Sequence, residues 1–197
     1  MSEKPIVVAL AGNPNVGKST LFNALTHLHQ HTGNWPGKTV AIARGHYTYH
    51  NEDYLLVDLP GAYSLSPHSA EEEVTRDFLR SSLADVTLVI CDISSLERNL
   101  ALLLEIMAAA HPVVLCINFM DEAEKQGIKV DLLALQDALG IPVLGIAAGK
   151  GEGLEALRAA LRRAAHAPLP PPLPPPPIPS AATCACPPTS VCTRTVL

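Results

Sequence analysis

The 197-residue chain is 48% hydrophobic and 17% charged, with a formal net charge of −5. Length and composition call for one well-buried globular unit, and the acidic balance excludes the basic footprint of a binder of nucleic acid or anionic lipid. No apolar run reaches the roughly 18 residues of a membrane span; the longest, LLLEIMAAAHPVVLCI, is interrupted by Glu105, His111 and Pro112.

The start, MSEKPIVVALAG, has the lysine and short apolar run of a signal peptide. Cleavage there would remove the strand that must feed the next loop, so PIVVALA (5–11) is read as a buried strand instead. The loop GNPNVGKST, Gly12 to Thr20, follows, and KSTLFNALTHL (18–28) is a helix opening on it. Gly12 and Gly17 bracket a loop whose backbone N–H groups can turn inward around a phosphate. Asn13, Pro14, Asn15, Val16 and Thr20 complete that cradle, Lys18 extends a positive charge to the terminal phosphates, and Ser19 supplies a hydroxyl for magnesium.

The polar segment HQHTGNWPGK (29–38) reads as a loop. TVAIARGHYTYH (39–50) and DYLLVDL (53–59) are strands that pair as a hairpin across Asn51 to Asp53. DLPG ends the second: Asp58 can hold magnesium through a water, and the Gly61 N–H can meet a γ-phosphate. A helix over AEEEVTRDFLRSSL (70–83), a strand over VTLVICDI (86–93), a helix over LERNLALLLEIMAAA (96–110) and a strand over VVLCINF (113–119) come next. The last strand carries NFMD at its end. There a carboxylate at Asp121, beside Asn118, can pair with two N–H groups of guanine for which adenine has no counterpart; the same aspartate could instead cap a helix. Three such motifs in order point to GTP or GDP with Mg2+. A helix from Asp131 to Leu139, the strand IPVLGIA (141–147) and the helix GLEALRAALRRAAHA (153–167) complete six strands and five helices, an α/β fold with a mostly parallel sheet.

Composition changes at Pro168: nine of the twelve residues to Pro179 are proline, predicting an extended polyproline rod. The remainder, SAATCACPPTSVCTRTVL, has no periodicity and is expected to be disordered. The division is thus a globular domain over 1–166 and a tail over 167–197.

GNPNVGKSTLFNAL, GNWPGKTV, DLPGAYSLSP and NFMD, in this order, closely resemble the GTPase domain of the FeoB ferrous-iron transporter family over residues 1 to about 166. The pairing of GNWPGKTV with DLPGAYSL is the most specific part. The resemblance implies a Ras-like P-loop GTPase in which Thr39 is the switch I threonine, joining Ser19 on magnesium in the GTP state. It gives Asn15 a role as an oxygen ligand of potassium, alongside the nucleotide phosphates and switch I carbonyls near Gly33 and Trp35. The K+ would neutralise charge growing between the β- and γ-phosphates. The alternative for Asn15 is a hydrogen bond that braces the loop. Ala62 stands where Ras-like enzymes place a water-orienting glutamine, so catalysis is expected of Asn15, Lys18, Thr39 and Gly61.

Two departures from the family stand out. Ala147 and Ala148 replace a serine in the base-contacting loop, where the Ala148 N–H can still reach the guanine oxygen. The proline-rich segment stands in place of the family's helical and membrane domains. The implied function is GTP hydrolysis on the cytoplasmic face of a bacterial inner membrane, with switch I and II coupling nucleotide state to ferrous-iron uptake by a membrane permease domain or partner. Alternatives are a free-standing GTPase of the ribosome or RNA-modification kind, for which the acidic chain lacks a basic surface, and a GDP-bound adaptor recruiting partners through its proline-rich tail.

His27, His29 and His31 are spaced to share one face of an extended loop and take a metal such as ferrous iron, or they are scattered solvated side chains. Cys91 and Cys116 lie within apolar runs, and Cys184, Cys186 and Cys192 form no designed metal or disulfide framework, as expected of a reducing compartment.

Overall fold

The structure is a computed structural model in which residues 4–27, 30–34, 40–66, 69–110 and 112–167 are described. The expectations for His29, Trp35, Thr39 and the tail from 168 onward, with its cysteines, fall outside these residues.

The apolar runs form the strands of one mixed sheet. In chain order these are β1 (Ile6–Gly12), β2 (Gln30–Asn34), β3 (Ala41–Tyr49), β4 (Glu52–Asp58), β5 (Val86–Asp92), β6 (Val113–Asn118) and β7 (Val143–Gly145). They lie side by side as β2-β3-β4-β1-β5-β6-β7. The β2–β3 and β3–β4 pairs are antiparallel, and all others are parallel. Helices α1 (Lys18–Thr26), α2 (Ala70–Arg80), α3 (Leu96–Ala109), α4 (Met120–Gln126), α5 (Leu132–Leu139) and α6 (Leu154–His166) cover the two faces.

Because side chains alternate across a strand, β1 feeds both layers. Val8 and Leu10 pack with Phe22 and Leu25 of α1 and Leu157 and Leu161 of α6. Ala9 and Ala11 face Val74 and Phe78 of α2 and Leu102, Leu103 and Ile106 of α3. Burial on both faces is why the parallel strands read as unbroken apolar runs. Helix starts follow local chemistry. Ser69 caps α2, accepting from Glu72 N at 3.2 Å, and Glu71, Glu72 and Glu73 then face the positive end of the helix dipole.

Three sequence expectations are corrected. Among the described residues the sheet has seven strands, because the polar loop expected at 29–38 contains β2. This edge strand pairs only with β3, and Thr32, Gly33 and Asn34 are exposed, so it carries no apolar alternation to detect. There are six α-helices among the described residues, because α4 starts within NFMD, at Met120; at seven residues it is too short to show a period. Its cap is Phe119, in the left-handed region at φ 66°, so Asp121 is not a cap. The hairpin turns at His50 and Asn51, whose φ angles of 50° and 61° make the two-residue turn that suits twisted strands, and Asp53 is already within β4.

Candidate functional site

The ends of β1, β4 and β6 deliver the three motifs to one edge of the parallel sheet, where a switch in strand order opens a crevice. Residues 13–17 cross that edge and turn into α1 through Gly17, at φ 83°. A side chain at Gly17 would strike the Asn118 amide, so the position needs glycine both for its left-handed backbone and for this close approach. The helix that follows has no side-chain cap and no acidic residue in its first turn. Its leading N–H groups and dipole are left to attract an anion.

Asn15 takes a left-handed backbone, φ 66°, and its side chain is exposed. Asparagine tolerates that region better than most residues, which is one physical reason for its presence. It lines a cavity of about 410 Å³ together with Asn13, Lys18, Ser19, Gly61 and Phe119. A second cavity of about 440 Å³ shares Lys18 and extends to Thr32, Val40 and Asp58. Lys18 Nζ meets Asp58 Oδ1 at 2.5 Å, joining the first and second motifs. Burial pushes the Asp58 carboxyl above its ordinary value, against the pull of Lys18. Gly61 lies against the loop: a Cβ there would be 3.2 Å from Pro14, and the next N–H, of Ala62, donates to Gly12 O at 3.2 Å.

Asn118 is 1% exposed and joins three segments. Its Nδ2 donates to Val16 O and its Oδ1 accepts from Ala148 N, each at 3.1 Å. The Ala148 N–H, expected from the sequence to face guanine, is thus spent on Asn118. The Ala147 N–H donates to Glu152 O at 3.1 Å. Asp121 sits 3.1 Å from Lys150, whose ammonium holds the carboxyl below its usual value. Lys150 and Phe119 escaped the sequence reading. A lysine two residues past Ala148 is the only signal for the first, and Phe119 sits inside the motif already recognised.

The residues suit a nucleotide with magnesium. Ser19 and Asp58 are hard oxygen donors on either side of Lys18, and both polar atoms of the buried Asn13 side chain have no partner among the described residues. Gly33 lies on β2 opposite Ile42, with open space where a Cβ would be, and Thr32 rather than Gly33 lines the cavity beside Lys18. His27 ends α1, and the described residues contain no group of three or more His, Cys, Asp or Glu side chains able to hold a metal. None of their helices is long and apolar enough to cross a membrane.

A family model for ferrous iron transport protein B matches residues 6–161. The Fe(2+) transporter FeoB of Escherichia coli K12 is 41% identical over 164 residues, which are 81% of this chain and 21% of the relative, so the chain spans about a fifth of that protein. The crystal structure of the G domain of T. maritima FeoB superposes with a TM-score of 0.78 at 43% identity, covering 82% of this chain and 99% of the other. The cytosolic domain of the same protein in GDP form I and in GMPPNP form gives TM-scores of 0.83 and 0.81, at 43% and 44% identity, over 86% and 83% of this chain and 66% and 65% of those chains. The family model covers most of the chain and the relatives exceed 40% identity over it, so the chain belongs to the ferrous iron transport protein B (FeoB) family.

Proposed function

We propose that residues 1–166 bind GTP and GDP with magnesium, hydrolyse GTP with stimulation by potassium, and serve as the cytoplasmic switch of a ferrous-iron transporter in a bacterial inner membrane. The observation that carries this reading is the convergence of Lys18, Asp58, Asn15 and Gly61 on the uncapped start of α1, with Asn118 and Asp121 at the adjoining strand end. The relatives' GDP and GMPPNP forms support it.

In this reading Lys18 exchanges Asp58 for the β- and γ-phosphate oxygens. Ser19 and Thr39 would hold magnesium directly and Asp58 through a water, while Asn15 and the Gly33 and Trp35 carbonyls would hold potassium. The two cations supply positive charge where negative charge grows during transfer. Gly61 turns its N–H toward the γ-phosphate, and Asp121 leaves Lys150 to face the two guanine N–H groups, with Ala147 and Ala148 closing the base side. The membrane permease region is the partner of the switch.

The test is the GTP hydrolysis rate of the unmodified chain and of Asn15→Ala in matched potassium and sodium buffers. Potassium should accelerate the unmodified chain about 10²-fold, and Asn15→Ala should fall to the sodium rate with nucleotide affinity nearly kept. Equal rates in both buffers would remove potassium from the mechanism, and the absence of any hydrolysis would overturn the GTPase assignment.

A further inference from the structure

Three consecutive residues just past Gly61 are fastened to α3. The Arg98 guanidinium lies 4.5 Å from the centre of the Tyr63 ring. The Ser64 hydroxyl faces both oxygens of Glu105, at 3.1 and 3.0 Å, and the Leu65 N–H donates to Glu105 Oε2 at 2.5 Å. On the other side the same segment is tied to the phosphate loop, through the Ala62 N–H on Gly12 O, and to α2, through the Thr75 hydroxyl on Pro60 O at 3.0 Å. Only Tyr63 separates the anchor on the phosphate loop from the anchor on Glu105.

We propose that Glu105 is a positioning residue for Gly61, holding residues 64 and 65 so that the Gly61 N–H stands ready at the phosphate loop. The inference rests on the GTPase reading above. A short tether between two fixed points leaves residues 61–63 few conformations. Once released from α3, they must be ordered again in each turnover, and that cost falls on the transition state rather than on binding of GDP. The part Glu105 plays is geometric rather than a matter of its charge. A glutamine can accept from the Leu65 N–H through Oε1 and donate to the Ser64 hydroxyl through Nε2, whereas alanine offers neither contact.

The test uses the full chain with Glu105→Ala, Glu105→Gln and Ser64→Ala. It reads GTP turnover, GDP affinity with a fluorescent analogue, and amide hydrogen exchange at Leu65 and Ala148. Glu105→Ala should lower kcat about tenfold, keep GDP affinity within about twofold, and speed Leu65 exchange at least tenfold while leaving Ala148 unchanged; Glu105→Gln should restore kcat and Leu65 exchange. The proposal is overturned if kcat is unchanged in Glu105→Ala, if GDP affinity falls as far as kcat, or if Glu105→Gln is as impaired as alanine. Should Glu105→Ala fail to fold, Ser64→Ala decides: it leaves the Leu65 contact in place and should slow turnover about threefold, and an unchanged rate refutes the idea. An unmodified chain without GTP turnover refutes the functional reading first and takes this one with it.

Discussion

Replacing Asn118 with alanine should destabilise the nucleotide-free domain far more than the loss of a surface amide. The side chain is 1% exposed, and its two polar ends satisfy the Val16 carbonyl and the Ala148 N–H, each at 3.1 Å. Alanine leaves both backbone groups buried without a partner, at about 1–3 kcal/mol each. Some relaxation is expected, so the loss should be about 2–4 kcal/mol, or roughly 5–15 °C in melting temperature for a domain of this size. Asn118→Asp is the sharper variant: it keeps the shape and the acceptor for Ala148 but sets an oxygen against the Val16 carbonyl oxygen. It should therefore be about as damaging as alanine at neutral pH. Urea unfolding of the three proteins without nucleotide measures this directly. A loss under about 1 kcal/mol for both variants would mean that Asn118 does not hold the phosphate loop through Val16.

Gly17→Ala should cost at least about 1–3 kcal/mol, since it combines a positive φ with a collision at the Asn118 amide; unfolding within about 0.5 kcal/mol of the unmodified chain would contradict the described loop. Glu52 offers a pH test. It accepts from Arg162 at 2.9 Å, from Tyr54 at 3.0 Å and meets His166 at 2.9 Å, and these partners, Arg162 foremost, hold its carboxyl below the ordinary 4.5. A depressed folded value means that the contribution is complete above the unfolded value and disappears as pH falls through the folded one. Below pH 4.5 the melting temperature of the unmodified chain should therefore fall more steeply than that of Glu52→Gln; parallel curves would show that the cluster joining the hairpin to α6 adds no pH-linked stability.

How much of this was legible beforehand depended on the range of each interaction. The alternation of strands and helices, the phosphate loop and the two strand-end motifs are local: unbroken apolar runs require burial on both faces, and glycines mark where the backbone must approach a ligand or turn left-handed. Lys18, Ser19, Asp58, Gly61, Asn118 and Asp121 could thus be picked out as candidates from spacing and residue type, whereas a role for Asn15 came only from the family resemblance. Polar QHTGN carries no strand signal, because an edge strand is defined by its neighbour β3 rather than by its own pattern. The same holds for the tie from Asn118 to Val16 across 102 residues, the Lys150 partner of Asp121, and the grip of Glu105 on Ser64 and Leu65 across some 40. The amino-acid sequence determined which residues have the chemistry for a nucleotide site, because that chemistry resides in single side chains and short loops. Only the tertiary structure decided which of them already hold one another, because those contacts exist only once distant strand ends are brought to the same edge of the sheet.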